Sequence, residues 1–391
     1  MMREVLGASL KLGLTSFGGP VAHIGYLREE YVIRRGWISE DAFADLVALC
    51  QFLPGPASSQ VNMSIGISRA GIPGGLAAWL GFTAPSAAVM TGFAFLLGVN
   101  GVFDSGWLHG IMLAAVGVVA QAVGAMAARY SADARRAAMT AVAAMVSLLL
   151  PSGLTQLALI AAGGVAGRFL LKTERIPERE RLPLDVSRPV SLAALGLFFV
   201  LLAGLPLLRV LLQSPVLSLI ESFYRTGSLV FGGGHVVLPL LHREVVLPGW
   251  LSDSRFMAGY AAAQAVPGPL FTFAAFLGAA MSSGPGGVWG ALIALAAIFL
   301  PSFLLLIGVL PYWNTLRERP GFQSALSGIN AMVVGLLGAA LYQPVWTSTV
   351  STVPDVCIAL GAFVLLSRMR ARPWMVVALG AAAGAAVRLA G

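Results

Sequence analysis

Lys11-Leu12-Gly13-Leu14-Thr15-Ser16-Phe17-Gly18-Gly19-Pro20 stands near the start of the chain. Arg225-Thr226-Gly227-Ser228-Leu229-Val230-Phe231-Gly232-Gly233-Gly234 stands 214 positions later. Both follow the pattern [KR]-x-G-x-x-x-F-G-G, and the likeness runs on. Glu30 matches Glu244 at the same offset, and after a one-residue gap Gly36-Trp37-Ile38-Ser39-Glu40 matches Gly249-Trp250-Leu251-Ser252-Asp253. Phe43 then matches Phe256, and Gln51-Phe52-Leu53-Pro54-Gly55-Pro56 matches Gln264-Ala265-Val266-Pro267-Gly268-Pro269. Pro73-Gly74-Gly75 and Pro285-Gly286-Gly287 close the series. Matches in this order over about 70 residues mark an internal duplication.

Outward from the motifs, the 391-residue chain is 58% hydrophobic and only 11% charged, with mean hydropathy +0.84. A soluble domain carries about 25% charged residues, so a water-soluble enzyme is excluded. Thirteen apolar segments can be marked, at about 4–17, 41–66, 72–99, 106–128, 137–150, 153–171, 190–208, 215–231, 255–281, 286–311, 322–343, 353–367 and 373–390. A span needs about 20 apolar residues. The pattern predicts an all-α polytopic membrane protein of about 13 transmembrane segments, in two homologous, inverted repeats with broken helices. Lys172 to Arg188 is charged and Pro-containing. The expected domains are an N-terminal repeat (1–171), a cytoplasmic linker (172–189), an extra inverting helix (190–214) and a C-terminal repeat (215–391). Whether 4–17 and 215–231 cross fully is left open. Cys50 and Cys357 lack metal-ligand spacing and read as packing residues. The first apolar stretch has no small-residue cleavage site and reads as part of the mature chain.

Lys+Arg number 25 against 17 Asp+Glu. The surplus fits cytoplasmic loops, not nucleic acid. With the N-terminus in the cytoplasm, thirteen spans put seventeen basic residues inside and five outside: Arg28, Arg34, Arg35, Arg209 and Arg388. The first loop dissents; re-entry of 4–17 would move it inside. Seven spans, an odd number, separate the two motif copies, so the repeats face opposite ways, a recurring design of secondary transporters.

Each Pro of Pro-Gly-Pro removes a donor and clashes with the preceding turn. Each such segment should therefore split, with new helices starting at Ala57-Ser58-Ser59 and Leu270-Phe271-Thr272. Their first N–H groups have no helical partner and carry the positive dipole end, which suits an anion. The paired glycines of the Phe-Gly-Gly (FGG) motifs, Phe17-Gly18-Gly19 and Phe231-Gly232-Gly233, leave further main-chain N–H groups exposed. A kink or a surface turn is the plainer reading of either motif. Lys11 and Arg225 are charges in apolar segments, where a charge is costly and usually functional. They are expected to hold one anion from two sides; snorkelling to the interface is the alternative. Gln51, Gln264, Ser58, Ser59, Asn62 and Thr272 are further donors, or helix–helix hydrogen bonds. Glu30, Glu244, Asp45, His23 and His235 are the groups that would carry a proton. A plainer reading pairs Glu30 with Arg28 or Arg34, and Glu244 with Arg243. No nucleophile triad, metal set or phosphate loop is present, and no cofactor is expected. An enzyme acting on a lipid-linked substrate would rest on Asp45 alone.

The paired FGG and Pro-Gly-Pro motifs, the duplicated halves and the polar linker closely resemble the chromate ion transporter family of long, two-domain type. Phe17-Gly18-Gly19-Pro20, Gln51 to Pro56, Phe231 to Gly234 and Ala265 to Pro269 carry the resemblance, with Gly234 departing from Pro20. It implies a multi-pass bacterial inner-membrane protein that exports chromate and confers resistance. Chromate and sulfate are near-isosteric, so sulfate or another divalent oxyanion stays open as substrate. A second copy of the chain is the other partner considered.

Overall fold

The computed structural model describes residues 1–17, 19–98, 106–150, 152–171, 186–231, 237–313, 319–369 and 371–390. Sixteen α-helices and no strand occur among them. The N-terminal half holds α1 (Met2–Thr15), α2 (Gly19–Arg28), α3 (Glu40–Phe52), α4 (Ala57–Leu97), α5 (Gly106–Tyr130), α6 (Ala134–Leu149) and α7 (Gly153–Leu170). Then comes α8 (Arg188–Leu212). The C-terminal half holds α9 (Pro215–Leu229), α10 (Val237–Val245), α11 (Asp253–Ala265), α12 (Phe273–Ala280), α13 (Gly287–Val309), α14 (Pro320–Ala340), α15 (Val353–Ser367) and α16 (Pro373–Ala390). Every apolar segment of the sequence is helical. The short helices α2 and α10, which follow the two FGG motifs, were not among the expected segments. Residues 172–185 of the expected linker lie outside the described residues, and α8 starts at Arg188.

Among the described residues five helices are long and apolar enough to cross a membrane: α4, α5, α8, α13 and α14 with its π-helical extension to Trp346. The Pro-Gly-Pro segments were expected as broken spans, and the break is present, but the chain turns back at it. The 13 residues of α3 reach about 20 Å at 1.5 Å per residue, short of a 30 Å hydrocarbon core. Beyond Pro56, residues 57–69 return: the Arg69 guanidinium stacks over Trp37, 5.0 Å from its ring centre, beside the start of α3. In the second half Ser282, just past α12, donates its N–H and Oγ to the Trp250 carbonyl just before α11, at 3.1 and 3.0 Å. The FGG segments turn back likewise. Ser9 of α1 meets Tyr31 beyond α2 (3.1 Å), and Arg225 of α9 meets Glu244 of α10 (2.6 Å). Four helical hairpins result, two per half.

Local chemistry explains the pattern. Ser39 and Ser252, at matched repeat positions, cap α3 and α11 by accepting the Ala42 and Arg255 N–H. α4 breaks at Ala70-Gly71, where Gly71 has φ +65°. The arms fold onto each other, with Asn62 Nδ2 donating to the Ala78 carbonyl at 2.9 Å. Gly66 and Gly74 touch so closely that either Cβ would strike the other's carbonyl.

The long helices interlock across the halves. α5 packs on α15 and α16, while α14, its repeat counterpart, packs on α7 and α6. Glycines set these contacts: Gly110 lies on Gly380 and Gly384, and Gly163 and Gly167 lie on Gly328. Small residues of this kind let helix backbones approach in membranes.

Candidate functional site

The tips of the four hairpins meet, and they are joined reciprocally. Gly55 of the first Pro-Gly-Pro donates its N–H to the Val230 carbonyl at 2.7 Å; Gly268 of the second donates to the Ser16 carbonyl at 2.9 Å. Ser16 and Val230 occupy matched positions just before the two FGG motifs. Both glycines have positive φ, +120° and +99°, which L side chains rarely adopt. A second reciprocal contact escaped the sequence reading. Pro85-Ser86 in α4 and Pro301-Ser302 in α13 are repeat partners 216 positions apart. Ser86 Oγ donates to the Pro267 carbonyl and lies against Gly268, while Ser302 lies against Gly55. Its sequence signal is a repeated Pro-Ser pair beyond Pro73-Gly74-Gly75 and Pro285-Gly286-Gly287.

The tips are unequal in polarity. On the N-terminal side α4 begins at Ala57 with no side-chain cap, so the N–H groups of Ala57, Ser58 and Ser59 have no helical acceptor. Around them, Ser58, Ser59, Gln60 and Asn62 are buried. His23 Nε2 lies 3.1 Å from the Ser16 carbonyl and so carries the proton; in the neutral ring Nδ1 accepts from Ser58 Oγ at 3.4 Å. Gln60 Nε2 donates to the Pro54 carbonyl. Behind them, Tyr31 OH donates to Asn62 Oδ1 at 2.6 Å. The hydroxyls of Ser16, Ser59 and Ser302 are buried and have no hydrogen-bond partner among the described residues. On the C-terminal side, Leu270-Phe271-Thr272 form a 3-10 turn, and regular helix begins three residues later than expected, at Phe273. Thr272 Oγ1 donates back to the Pro269 carbonyl at 2.8 Å. Phe271, Phe273 and Phe276 fill the space behind.

Lys11 and Arg225 sit on the hairpin stems, each tied to a carboxylate of its own half. Lys11 Nζ is 2.7 Å from Glu30, which also takes Arg34 at 3.0 Å and Arg35 at 2.7 Å. Arg225 holds Glu244 at 2.6 Å and Glu221 at 2.7 Å, and Arg209 also holds Glu221. The matched pairs Lys11–Glu30 and Arg225–Glu244 are thus one repeated ion pair. The plainer sequence pairing needs correction: Glu30 takes Arg34 but not Arg28, which binds Glu40, and Glu244 takes Arg225 rather than Arg243. Burial would raise the Glu30 carboxyl, but hydrogen bonds from Lys11, Arg35 and Arg34 outweigh it and hold it at about 2. Burial wins at Glu244 and pushes it up, against Arg225.

The remaining expected residues scatter. Gln51, in the last turn of α3, is half-buried and accepts from Arg129 at 2.6 Å. Gln264 is buried and hydrogen-bonds with Tyr260. Asp45 is buried and accepts from the Trp313 indole at 3.2 Å. Phe17 lies 6.4 Å from the Trp374 ring, and Phe231 packs on the core. Gly19 opens α2. Gly18, Gly232, Gly233 and His235 lie outside the described residues.

Duplicated helical hairpins that meet tip to tip, inside a bundle of long apolar helices, define a polytopic membrane transport protein. The sequence profile described as "Chromate transporter" matches residues 3–168 and 217–385, one part in each repeat. The chain belongs to the chromate transporter family. It is similar to the chromate transport protein of Pseudomonas aeruginosa, 29% identical over 364 residues, covering 92% of this chain and 85% of that protein. The chromate transport protein of Cupriavidus metallidurans is 26% identical, covering 97% and 92%. The uncharacterized transporter YwrB of Bacillus subtilis matches 44% of this chain over 87% of its own length, at 29% identity; that is about one repeat. No solved structure matches the chain.

Proposed function

We propose that the chain exports chromate from the cytoplasm of a bacterium across its inner membrane, and that the anion binds where the four tips meet. The observation that carries the site is the trio of buried hydroxyls, Ser16, Ser59 and Ser302, without partners among the described residues, around the N–H groups opening α4. Donors and a positive helix end suit a tetrahedral dianion. Lys11 and Arg225 act from the stems: Lys11, Arg34 and Arg35 outnumber Glu30, and Arg209, Arg225 and Arg243 outnumber Glu221 and Glu244. Both stems thus carry net positive charge, which draws anions toward the tips.

The hairpins also revise the topology. Reading them as re-entrant leaves nine crossings: the second arm of α4, α5 to α8, and α13 to α16. Five crossings, an odd number, separate the start of one repeat from the start of the other, which supports inversion. With the N-terminus inside, Arg28, Arg34 and Arg35 join the cytoplasmic side, while Arg243 and Arg255 move out. The basic count becomes eighteen inside against four outside, and the dissenting first loop is removed. An anion crossing to the outside gains about 2.3 kcal/mol per charge per 100 mV, roughly twice that for a dianion. Export therefore draws on the membrane potential, with or without a proton gradient beside it, by rocking of one half against the other. Uptake of radioactive chromate into everted vesicles tests this. Uptake that collapses with the potential is expected; no uptake with protein present ends the chromate reading. Unlabelled sulfate in the same assay separates chromate from a general oxyanion carrier.

A further inference from the structure

We infer a second oxyanion site, separate from the tips, in a cavity of about 440 Å³ at the open base of the C-terminal hairpins. Gln156, His242, Arg243, Asp253, Gln343 and Ser348 line it. It lies between the end of α10 and the start of α11, about 20 Å from the second Pro-Gly-Pro along the 13 residues of α11. Its electrostatics favour an anion. Arg243 has no ion-pair partner among the described residues, and its Nη1 is buried without a hydrogen bond. The neighbouring Glu244 is turned to Arg225. The one carboxylate in the wall, Asp253, is taken by His242 Nε2 at 2.6 Å. An uncompensated guanidinium among amide and hydroxyl donors is the chemistry that binds a tetrahedral dianion such as sulfate or chromate.

The repeat shows that this is specific to one face. His242–Asp253 is the counterpart of Arg28–Glu40, also at 2.6 Å. Where the outer face has Arg243, the matched position in the first half is the acidic Glu29. The second-half mouth therefore carries a cation, unpaired among the described residues, at a position where the first half carries a carboxylate. The cavity is a station for the anion on the outward side of the tips. Its outward placement rests on the topology proposed above; its anion chemistry does not.

The test uses full-length protein in intact cells with Cys50 and Cys357 replaced by Ala and Ser348→Cys added. A membrane-impermeant thiol reagent labels the new thiol, and sulfate is the probe. Labelling from outside is expected, slowed roughly tenfold at a sulfate concentration about ten times its dissociation constant. Chloride at matched ionic strength should not slow it. Adding Arg243→Gln removes the protection while labelling persists, and Arg243→Lys restores part of it. Absence of sulfate protection, or protection that survives Arg243→Gln, overturns the site. Labelling only after permeabilisation overturns the outward placement and the topology, while sulfate protection still judges the site. If Ser348→Cys fails to assemble, Thr347→Cys on the same wall replaces it.

Discussion

Gly55→Ala tests the joint between the halves. Alanine at φ +120° costs about 1–3 kcal/mol in backbone strain. Its Cβ would also sit on Ser302 Oγ across the interface, and overpacking of this kind costs about 1–3 kcal/mol. Any shift that relieves the overlap lengthens the 2.7 Å bond from Gly55 N–H to Val230, worth about 1 kcal/mol. The three add to a loss of roughly 3–7 kcal/mol. Only the overlap belongs to Ser302, so Ser302→Ala should recover roughly a third of it, a coupling of about 1–2 kcal/mol. Ser86→Ala faces the other loop and should recover none. Gly268→Ala reverses the assignment, with Ser86→Ala as its rescuer. The assay is the melting midpoint of detergent-purified protein at one scan rate, paired with chromate uptake by everted vesicles. Equal rescue of Gly55→Ala by both serine variants would refute the cross-half pairing, as would wild-type melting of Gly55→Ala itself.

The ion pairs give unequal outcomes. Arg225→Ala strands Glu244 without an ion partner among the described residues and should cost about 3 kcal/mol. Lys11→Ala leaves Glu30 with Arg34 and Arg35 and should cost about 1 kcal/mol; both should slow export, and equal melting losses would contradict this. Glu30 lies below its ordinary 4.5, at about 2, so its contribution is complete above 4.5 and is lost as pH falls toward 2. With half-exposed partners that contribution is about 1–2 kcal/mol. Glu30→Gln should therefore lower the melting midpoint at neutral pH and cease to matter at the acid end. Glu244, pushed up, has the opposite sign, and Glu244→Gln should cost less at neutral pH than in acid. Asp41→Cys and Ser254→Cys, exposed at matched repeat positions, should react with an impermeant thiol reagent from opposite faces, Ser254→Cys from outside; reaction from one face would rule out inversion.

Hydropathy located every long helix, and the repeat located the glycines and prolines that shape the tips. It could not show direction. A 26-residue apolar stretch such as 41–66 reads alike whether its two halves run on or fold back, because hydrophobicity is blind to the sense of travel. That information sits in contacts such as Ser282 with Trp250 and Arg69 with Trp37, between residues about thirty apart. α2 and α10 were missed because Gly-Pro-Val-Ala-His and Leu-Pro-Leu-Leu-His-Arg-Glu mix breakers and charges with apolar residues. The serine pair Ser86 and Ser302 has a sequence signal, a repeated Pro-Ser, but it is two residues long and isolated from the denser matches before it. The pairing of Lys11 with Glu30 was within reach, since both recur at one offset and residues so matched tend to be neighbours in both copies.

The reciprocal hydrogen bonds have a bearing on the cell's energy supply. Each half hangs its loop from the other, so in the proposed rocking the two loops turn about one shared joint, like two oars lashed at one pin. A conduit that opened to both compartments at once would let small ions short the battery that drives the outflow. In the proposed export, two crossed ties, one from Gly55 and one from Gly268, would keep the two doors from standing ajar together.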